Sequence, residues 1–528
     1  MPFLGHRRFP NLVVAAAIGL LGGVAMVWLM LLLRVVGGVP TTFELFGDRV
    51  APLIPAPAFS SLIQLAGGYN PLKMLGVASV LGGQLVVATV AGGAFAYLAL
   101  RTQRSDPERS GLRRRQVLTL GGLAVAADGA LLLALYPNLA TSYVGHPPGT
   151  ARLISTVSLL AEVAVFTIVV GLLVDRLLRA RVDQPGRDDQ EVGVSRRAVL
   201  VAGGAGLLAA GAGGMLAHLL GRATFGYDGQ TVEGPDVAPI TPNGKFYVVT
   251  KNVIDPVVAP ANWRLELAGL VERPATYSFD DLLAFEQVEQ ETTLMCISNP
   301  VGGGLMSNAV WTGVRLGDLL ELARPASTAL EVVAQGVDAY SDTFPLASAM
   351  DPVTLLVHLM NGEPLPDRHG APVRVVLPGF YGEKQVKWVT RIEVVDRDVK
   401  GFYETQGWGP EFILPSTSRF DFPRRDTPIM AGQAVLMAGV AFAGSRGVDS
   451  VEVSTDDGLS WEAAEVTYPG TPLTWALWRR PWRPSRPGRH ALLVRMTDGK
   501  GDRQVEKRRP IVPMGALGLH RIEVDVRG

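Results

Sequence analysis

The stretch Thr293–Leu320, TLMCISNPVGGGLMSNAVWTGVRLGDLL, holds the one cysteine of the chain, Cys296. A lone cysteine is ordinarily a small buried hydrophobe with a weak S–H donor. Two features here point elsewhere. Gly302-Gly303-Gly304 and then Ser307-Asn308-Ala309 follow it, a composition that lets a ligand come close to the backbone. A thiolate is also a good ligand for a soft or high-valent metal. A single cysteine excludes intrachain disulfides, thiolate iron–sulfur clusters, zinc ribbons and haem attached through Cys-x-x-Cys-His.

Outward from this stretch the chain is uneven. Its 528 residues predict about three or four domains. Lys+Arg and Asp+Glu are 49 each, and a net charge of zero argues against a nucleic-acid partner. Mean hydropathy is +0.24 with 19% charged residues, and the apolar excess lies before residue 222. That argues against a disordered chain and against a purely soluble one.

Five apolar runs carry the excess: Leu12–Leu33, Met74–Leu100, Val117–Tyr136, Leu153–Val174 and Ala198–Leu220. Each has the roughly 20 residues needed to cross a bilayer, against the alternative of buried helices in a soluble core. Arginines sit at Arg7 and Arg8, between spans two and three (Arg101 to Arg115), and between spans four and five (Arg176 to Arg197). The other two loops are poor in basic residues. This alternation predicts a cytoplasmic N-terminus and an extracytoplasmic chain after residue 222. Ser195-Arg196-Arg197 before a Gly-rich apolar run resembles a twin-arginine export signal, with an ordinary basic flank as the alternative. Asp128 and Glu162 are intramembrane acids, functional candidates or structural hydrogen-bond partners. His218 is the single histidine within a span, and a membrane b-haem usually takes two, so no haem is expected.

The expected organisation is multi-domain. Residues 1–222 form an α-helical membrane bundle, 223–245 a linker, 246–426 an α+β domain and 427–528 a β-sandwich. Strands are expected at Trp263–Val271, Leu330–Gln335, Val373–Leu377 and Val386–Val395, and helices at Phe279–Glu286, capped by Ser278, and Leu316–Ala323. Short β runs at Val435–Ala443, Ser450–Ser454, Ala463–Tyr468 and Ala491–Thr497, separated by turns such as Asp456-Asp457-Gly458, carry the sandwich reading.

Thr293–Leu320 resembles the molybdopterin-binding domain of the sulfite oxidase family. So does Leu365–Ile392, with HGAPVRVVLPGFYGEKQVKWVTRI. Val451–Trp461 and Trp475–Trp478 resemble that family's immunoglobulin-like dimerisation domain. The resemblance covers about residues 240–520 and implies one molybdenum-molybdopterin held through its dithiolene, with Cys296 as thiolate ligand to the metal. It implies that Asn252, His369, Arg374, Gln385, Val386 and Lys387 contact the pterin and phosphate, which suits the affinity of Arg and Lys for phosphate. Tyr340, in YSDTFPL, matches the family's active-site tyrosine; without the family it would read as a turn residue. Lys251 stands where the family has a guanidinium, and Pro300 and Val301 stand where it has basic residues. An oxyanion pocket is weakened by these departures, which leaves neutral sulfoxides and N-oxides beside sulfite as substrates.

The function expected is a membrane-anchored extracytoplasmic oxidoreductase moving an oxygen atom or two electrons at a small molecule. No histidine pair in the outer half has the context of the family's haem domain, so that domain is not expected here and electrons are expected to pass to a separate donor or acceptor, or to quinone at the bilayer. The sandwich implies a homodimer by resemblance. The alternative is a non-catalytic binding or assembly protein with a degenerate domain. Trp263, Trp311 and Trp388 are expected as core aromatics.

Overall fold

The computed structural model describes residues 9–67, 69–103, 111–182, 196–222, 235–410 and 412–528. Ser195 of the export-signal motif, Arg7 and Arg8, Arg104, Arg109 and Arg187, and residues 223–234 of the expected linker lie outside them. The chain divides into two compact units. The first comprises Met1–Ala51, Asn70–Thr224 and Asn252–Ile254; the second comprises Pro52–Tyr69, Phe225–Lys251 and Asp255–Gly528.

The first unit is helical. Its long helices are α1 (Phe9–Gly37), α4 (Tyr69–Gln103), α5 (Arg114–Leu135), α6 (Pro148–Val182) and α7 (Arg196–Gly221), with a short α2 (Thr42–Val50). Four of the expected runs lie in stretches long and apolar enough to cross a membrane: Leu12–Gly37, Asn70–Gln103, Arg114–Asn138 and Pro148–Ala180. The fifth run lies in α7, whose described side chains form the shorter apolar stretch Gly206–Gly221. Helix α1 packs against α6 and α7. Close approach of α1 to α4 needs glycine: a Cβ on Gly92 would stand 2.7 Å from Gly19 Cα. Glu162 on α6 is buried and Asp128 on α5 is half-buried. Helix α2 starts at a capping box, Thr41 with Glu44. Glu44 also pairs with buried Arg34 at 3.2 Å.

The second unit begins in the loop between the first two apolar runs, with helix α3 (Ala56–Ala66). Pro55 and Pro57 start α3, and Gly67, at φ 79°, ends it in the left-handed conformation.

Two sheets and three short helices follow. The first sheet has the order β2-β1-β10-β5-β6, with β1 Arg264–Gly269, β2 Ala275–Ser278, β5 Glu331–Gly336, β6 Ser341–Pro345 and β10 Val389–Val395. Strands β1 and β10 are parallel. The second sheet runs β3-β4-β7-β8, with β9 also on β7. Its strands are β3 Val288–Met295, β4 Met306–Arg315, β7 Leu355–Met360, β8 Glu363–Pro364 and β9 Arg374–Val376. Leu265, Leu267, Val332, Ala334, Ile392 and Val394, on alternate positions of β1, β5 and β10, enter one core with Trp263 and Trp388. Helix α8 (Phe279–Leu283) has the expected Ser278 cap, whose Oγ accepts from the Asp281 N–H at 3.1 Å. It stops earlier than expected because Gln287 Nε2 donates to the Leu282, Leu283 and Phe285 carbonyls. Helix α9 (Leu316–Ala323) has the expected bounds, and α10 (Leu346–Ala349) is a single turn.

The remaining strands form two facing sheets. One is β11-β13-β17-β16 and the other β12-β19-β18-β14-β15. Their ranges are β11 Thr417–Phe422, β12 Ile429–Met430, β13 Val435–Phe442, β14 Val448–Ser454, β15 Glu462–Ala463, β16 Glu465–Tyr468, β17 Ala476–Trp482, β18 Gly488–Asp498 and β19 His520–Arg527. Met437, Val451, Val453, Trp478, Leu492 and Val494 fill the space between them.

Candidate active site

Strands β3 and β4 pair in register down to Met295 opposite Met306, and the loop between them begins at Cys296. Backbone bonds hold that loop: Cys296 N–H donates to the Leu305 carbonyl at 3.0 Å, and Asn299 N–H to the Cys296 carbonyl at 3.0 Å. The Asn299 side chain accepts from Leu305 N–H at 2.9 Å. Gly302 turns the loop at φ 77°. A Cβ there would meet His520 Nε2 at 2.3 Å, so only glycine fits. The Cys296 thiol lies 3.0 Å from Ser298 Oγ. Burial, reinforced by the Glu383 carboxylate, pushes the thiol up to about 11. In this environment the thiol keeps its proton unless a cation replaces it.

Cys296 borders a cavity of about 470 Å³. Lys251, Tyr340, His369, Arg374, Gln385 and Lys387 line the same cavity, although they span 137 positions of sequence from 251 to 387. Two of the expected contacts do not reach it. Val386 is fully buried in the core of the first sheet, with its carbonyl accepting from Val375 N–H at 2.9 Å. Asn252 is buried in the first unit, where its carbonyl accepts from Lys73 Nζ at 2.8 Å.

One wall is cationic. Arg374, on β9, donates to the carbonyls of His369 at 3.0 Å and Gln385 at 3.3 Å. Lys387 Nζ donates to the Arg368 carbonyl at 3.0 Å and lies 4.4 Å from the Trp388 ring centroid. Burial lowers Arg374 to about 10 and Lys387 to about 8. Asp255 and Asp338 favour the Lys387 charge, and the neighbouring Arg374 and Arg368 oppose it. His369 is different. Burial and the neighbouring Arg374 push it down to about 3, so it is neutral at physiological pH. Its Nε2 faces the Asn243 carbonyl at 3.2 Å, which assigns the proton there and leaves Nδ1 as an acceptor.

Another part of the lining is aromatic. Tyr340 O–H lies 2.8 Å from the Glu383 carbonyl and 3.0 Å from Asp342 Oδ2. Burial first, then the Asp342 charge, raises the phenol, so it holds its proton. Tyr340 packs on Phe402 and Tyr403, at 5.6 and 5.9 Å between centroids. Lys251 Nζ lies 5.7 Å from the Phe402 ring centroid. Behind this wall Lys384 bridges Asp342 at 2.7 Å and Glu404 at 2.9 Å. Burial opposes its charge, but the two carboxylates hold Lys384 protonated.

Sequence reasoning missed several lining residues. Glu383, buried and raised above its ordinary range chiefly by burial, sits inside the GEKQVK block but was not singled out. Trp388, expected as a core aromatic, is buried and also borders the cavity. Its φ of 50° is uncommon for a bulky side chain. Ala339, before Tyr340, also has a positive φ of 59°. Arg368 and Trp408 line the cavity without a sequence signal beyond their type. Phe59, Ser60, Ile63 and Gln64 reach it from α3, and nothing in their sequence announces that.

Residues 252–403 match the family described as the oxidoreductase molybdopterin binding domain. Mitochondrial sulfite oxidase of Rattus norvegicus is 34% identical over 287 residues, 46% of this chain and 52% of that protein. The NADPH nitrate reductase of Fusarium oxysporum is 29% identical over 260 residues, 39% of this chain and 28% of that protein. The chain thus spans about half the length of the sulfite oxidases it matches. The solved structure of the sulfane dehydrogenase SoxCD from Paracoccus pantotrophus is 22% identical, with 61% of this chain and 87% of that chain covered and a TM-score of 0.49. The donor set fits the cofactor: a single thiol for a metal, and a buried guanidinium and a half-buried ammonium lining the same cavity for a phosphate.

Proposed function

Because residues 252–403 carry a molybdopterin-binding oxidoreductase domain of the sulfite oxidase family, we propose that the chain is a membrane-anchored, extracytoplasmic molybdenum oxidoreductase acting on a small sulfoxide, N-oxide or sulfite. The observation that carries this reading is the convergence of Cys296, Arg374 and Lys387 on one cavity. When bound, the cofactor supplies two-electron oxygen-atom chemistry. Cys296 is the thiolate ligand to molybdenum. Arg374 and Lys387 hold the cofactor phosphate, His369 sets the Arg374 position through its carbonyl, and Gln385 steadies the same loop. Tyr340 keeps its proton, which is directed at the Glu383 carbonyl and Asp342, and its ring borders the substrate side. Lys251 shapes the substrate side. In the reducing direction two electrons and two protons convert an X=O group to X and water; the oxidising direction takes the oxygen from water.

The long apolar helices anchor the chain, and the alternation of arginines supports a cytoplasmic N-terminus with the catalytic domain outside. Arg196-Arg197 then belongs to a twin-arginine signal. The two facing sheets after residue 417 are read as an immunoglobulin-like, dimerisation-type sandwich. Electrons come from a separate carrier or from quinone.

Metal and pterin analysis of detergent-purified protein, beside Cys296→Ala, tests the reading. About one molybdenum per chain and a Mo(V) resonance altered by the substitution are expected. Protein folded in a host that makes the cofactor, yet free of molybdenum and pterin, refutes it and favours a binding or assembly role.

A further inference from the structure

We infer that helix α3 is a specificity-determining wall of the catalytic cavity, and that it restricts the substrate to a neutral molecule with an apolar substituent. The inference rests on the molybdenum reading above. Phe59, Ser60, Ile63 and Gln64 line the cavity. Their spacing puts them on one face of the helix, since positions four apart are neighbours on its surface. Proline at the start and the left-handed Gly67 at the end give α3 defined limits, so the face it presents is a built surface.

The chemistry of that face is one-sided. From Ala51 to Leu72 the chain contains no charged residue. Phe59 and Ile63 offer only hydrocarbon, and Ser60 and Gln64 offer neutral hydrogen-bonding groups. The family domain in residues 252–403 does not include this segment, so the wall is an addition by the N-terminal half of the chain. Of the cations that line the cavity, Arg374 and Lys387 are assigned to the cofactor phosphate, and neither Lys251 nor Arg368 lies on α3. A dianion placed against Phe59 and Ile63 loses its hydration without gaining a partner there. A sulfoxide or N-oxide bears a smaller cost: its polar oxygen accepts from Ser60 or Gln64 while an aryl or alkyl group covers Phe59 and Ile63.

The test uses the full-length protein in detergent, with Phe59→Ala and Gln64→Ala as wall variants and Leu65→Ala as control. Leu65 lies on the same helix, is 86% exposed and does not line the cavity. In cofactor-free protein Cys296 is the one thiol, so alkylation by N-ethylmaleimide, followed by mass shift, reports access to the cavity. Both wall variants are expected to react several-fold faster than wild type, and the control at the wild-type rate. In molybdenum-loaded protein, with reduced methyl viologen as electron source, Phe59→Ala is expected to change the kcat/KM ratio of methyl phenyl sulfoxide to dimethyl sulfoxide by about tenfold. Unchanged alkylation and an unchanged ratio in protein that turns over sulfoxides overturn the role of α3 and leave the enzyme reading intact. Sulfite oxidised with higher kcat/KM than either sulfoxide is reduced overturns the neutral-substrate assignment. Absence of molybdenum refutes the enzyme reading instead, and the alkylation rates then still decide whether α3 walls the cavity.

Discussion

Lys387 gives the sharpest energetic test of the cationic wall. Its ammonium is half-buried near Arg374, bonded to the Arg368 carbonyl and 4.4 Å from the Trp388 ring centroid, and it falls from an ordinary 10.5 to about 8. Burial is the main cause; Arg374 and Arg368 add to it, while Asp255 and Asp338 oppose it. Below pH 8 the folded and unfolded cofactor-free chains both carry this proton, and the folded chain bears the whole cost of burying it. Between pH 8 and 10.5 the folded chain binds fewer protons, so stability rises with pH. At about 1.4 kcal/mol for each pH unit, the drop from 10.5 to about 8 sets an upper bound of about 3.5 kcal/mol, which solvent screening of a half-buried group reduces. Lys387→Met keeps most of the aliphatic stem and removes the charge. Cofactor-free Lys387→Met is therefore expected to melt higher than wild type at pH 7, with the difference shrinking toward zero by about pH 10.5. Differential scanning fluorimetry across pH 7 to 10.5 measures it, and subtracting the variant curve removes every other titrating group. The loaded protein is expected to show the reverse, with less cofactor retained by the variant because the phosphate loses a partner. Parallel pH curves for wild type and variant in the cofactor-free state refute a desolvated charge at Lys387.

Two further outcomes follow from the packing around the site. Asp342→Asn removes one partner from the buried Asp342–Lys384 pair, whose side chains are 1% and 5% exposed; a loss of about 3 kcal/mol is expected, and Lys384→Met in that background should recover part of it in thermal melts. Gly302→Ala combines a positive φ with a clash on His520 and is expected to cost about 1–3 kcal/mol and to alter the Mo(V) spectrum; His520→Ala added to it should relieve the clash but leave the backbone strain.

The lengths of the apolar runs predicted the long helices because bilayer-scale hydrophobic length is a local property of sequence. The bounds of α9 and the Ser278 cap were legible for the same reason: caps and amphipathic spacing act within one turn. Motif resemblance singled out Cys296, Tyr340, His369, Arg374, Gln385 and Lys387, and these meet at the cavity. Val386 belonged to the same block, yet it faces the core. Its neighbours Gln385 and Lys387 reach the cavity, as an extended backbone sends alternate side chains to opposite faces, so alternation alone could have set Val386 apart.

Other features had no local signal. Strands β3 and β4, which hold the Cys296 loop, were read as motif and not as strands, because their side chains are largely buried and show no clean alternation of polarity. Trp388 takes a positive φ that intrinsic preference disfavours, and the surrounding fold over-determines it. The position of α3 is the plainest case. Its sequence, APAFSSLIQLA, specifies a short apolar helix between proline and glycine. That this helix borders a cavity whose other walls lie about two hundred residues and more away is a long-range packing outcome, decided by which apolar face finds which partner when the chain condenses. The sequence alone determined the chemistry available to this protein, through one thiol, a few cations and the long apolar runs. Tertiary structure decided which of those groups share a cavity, and burial and neighbours there set the protonation of Cys296, His369 and Lys387.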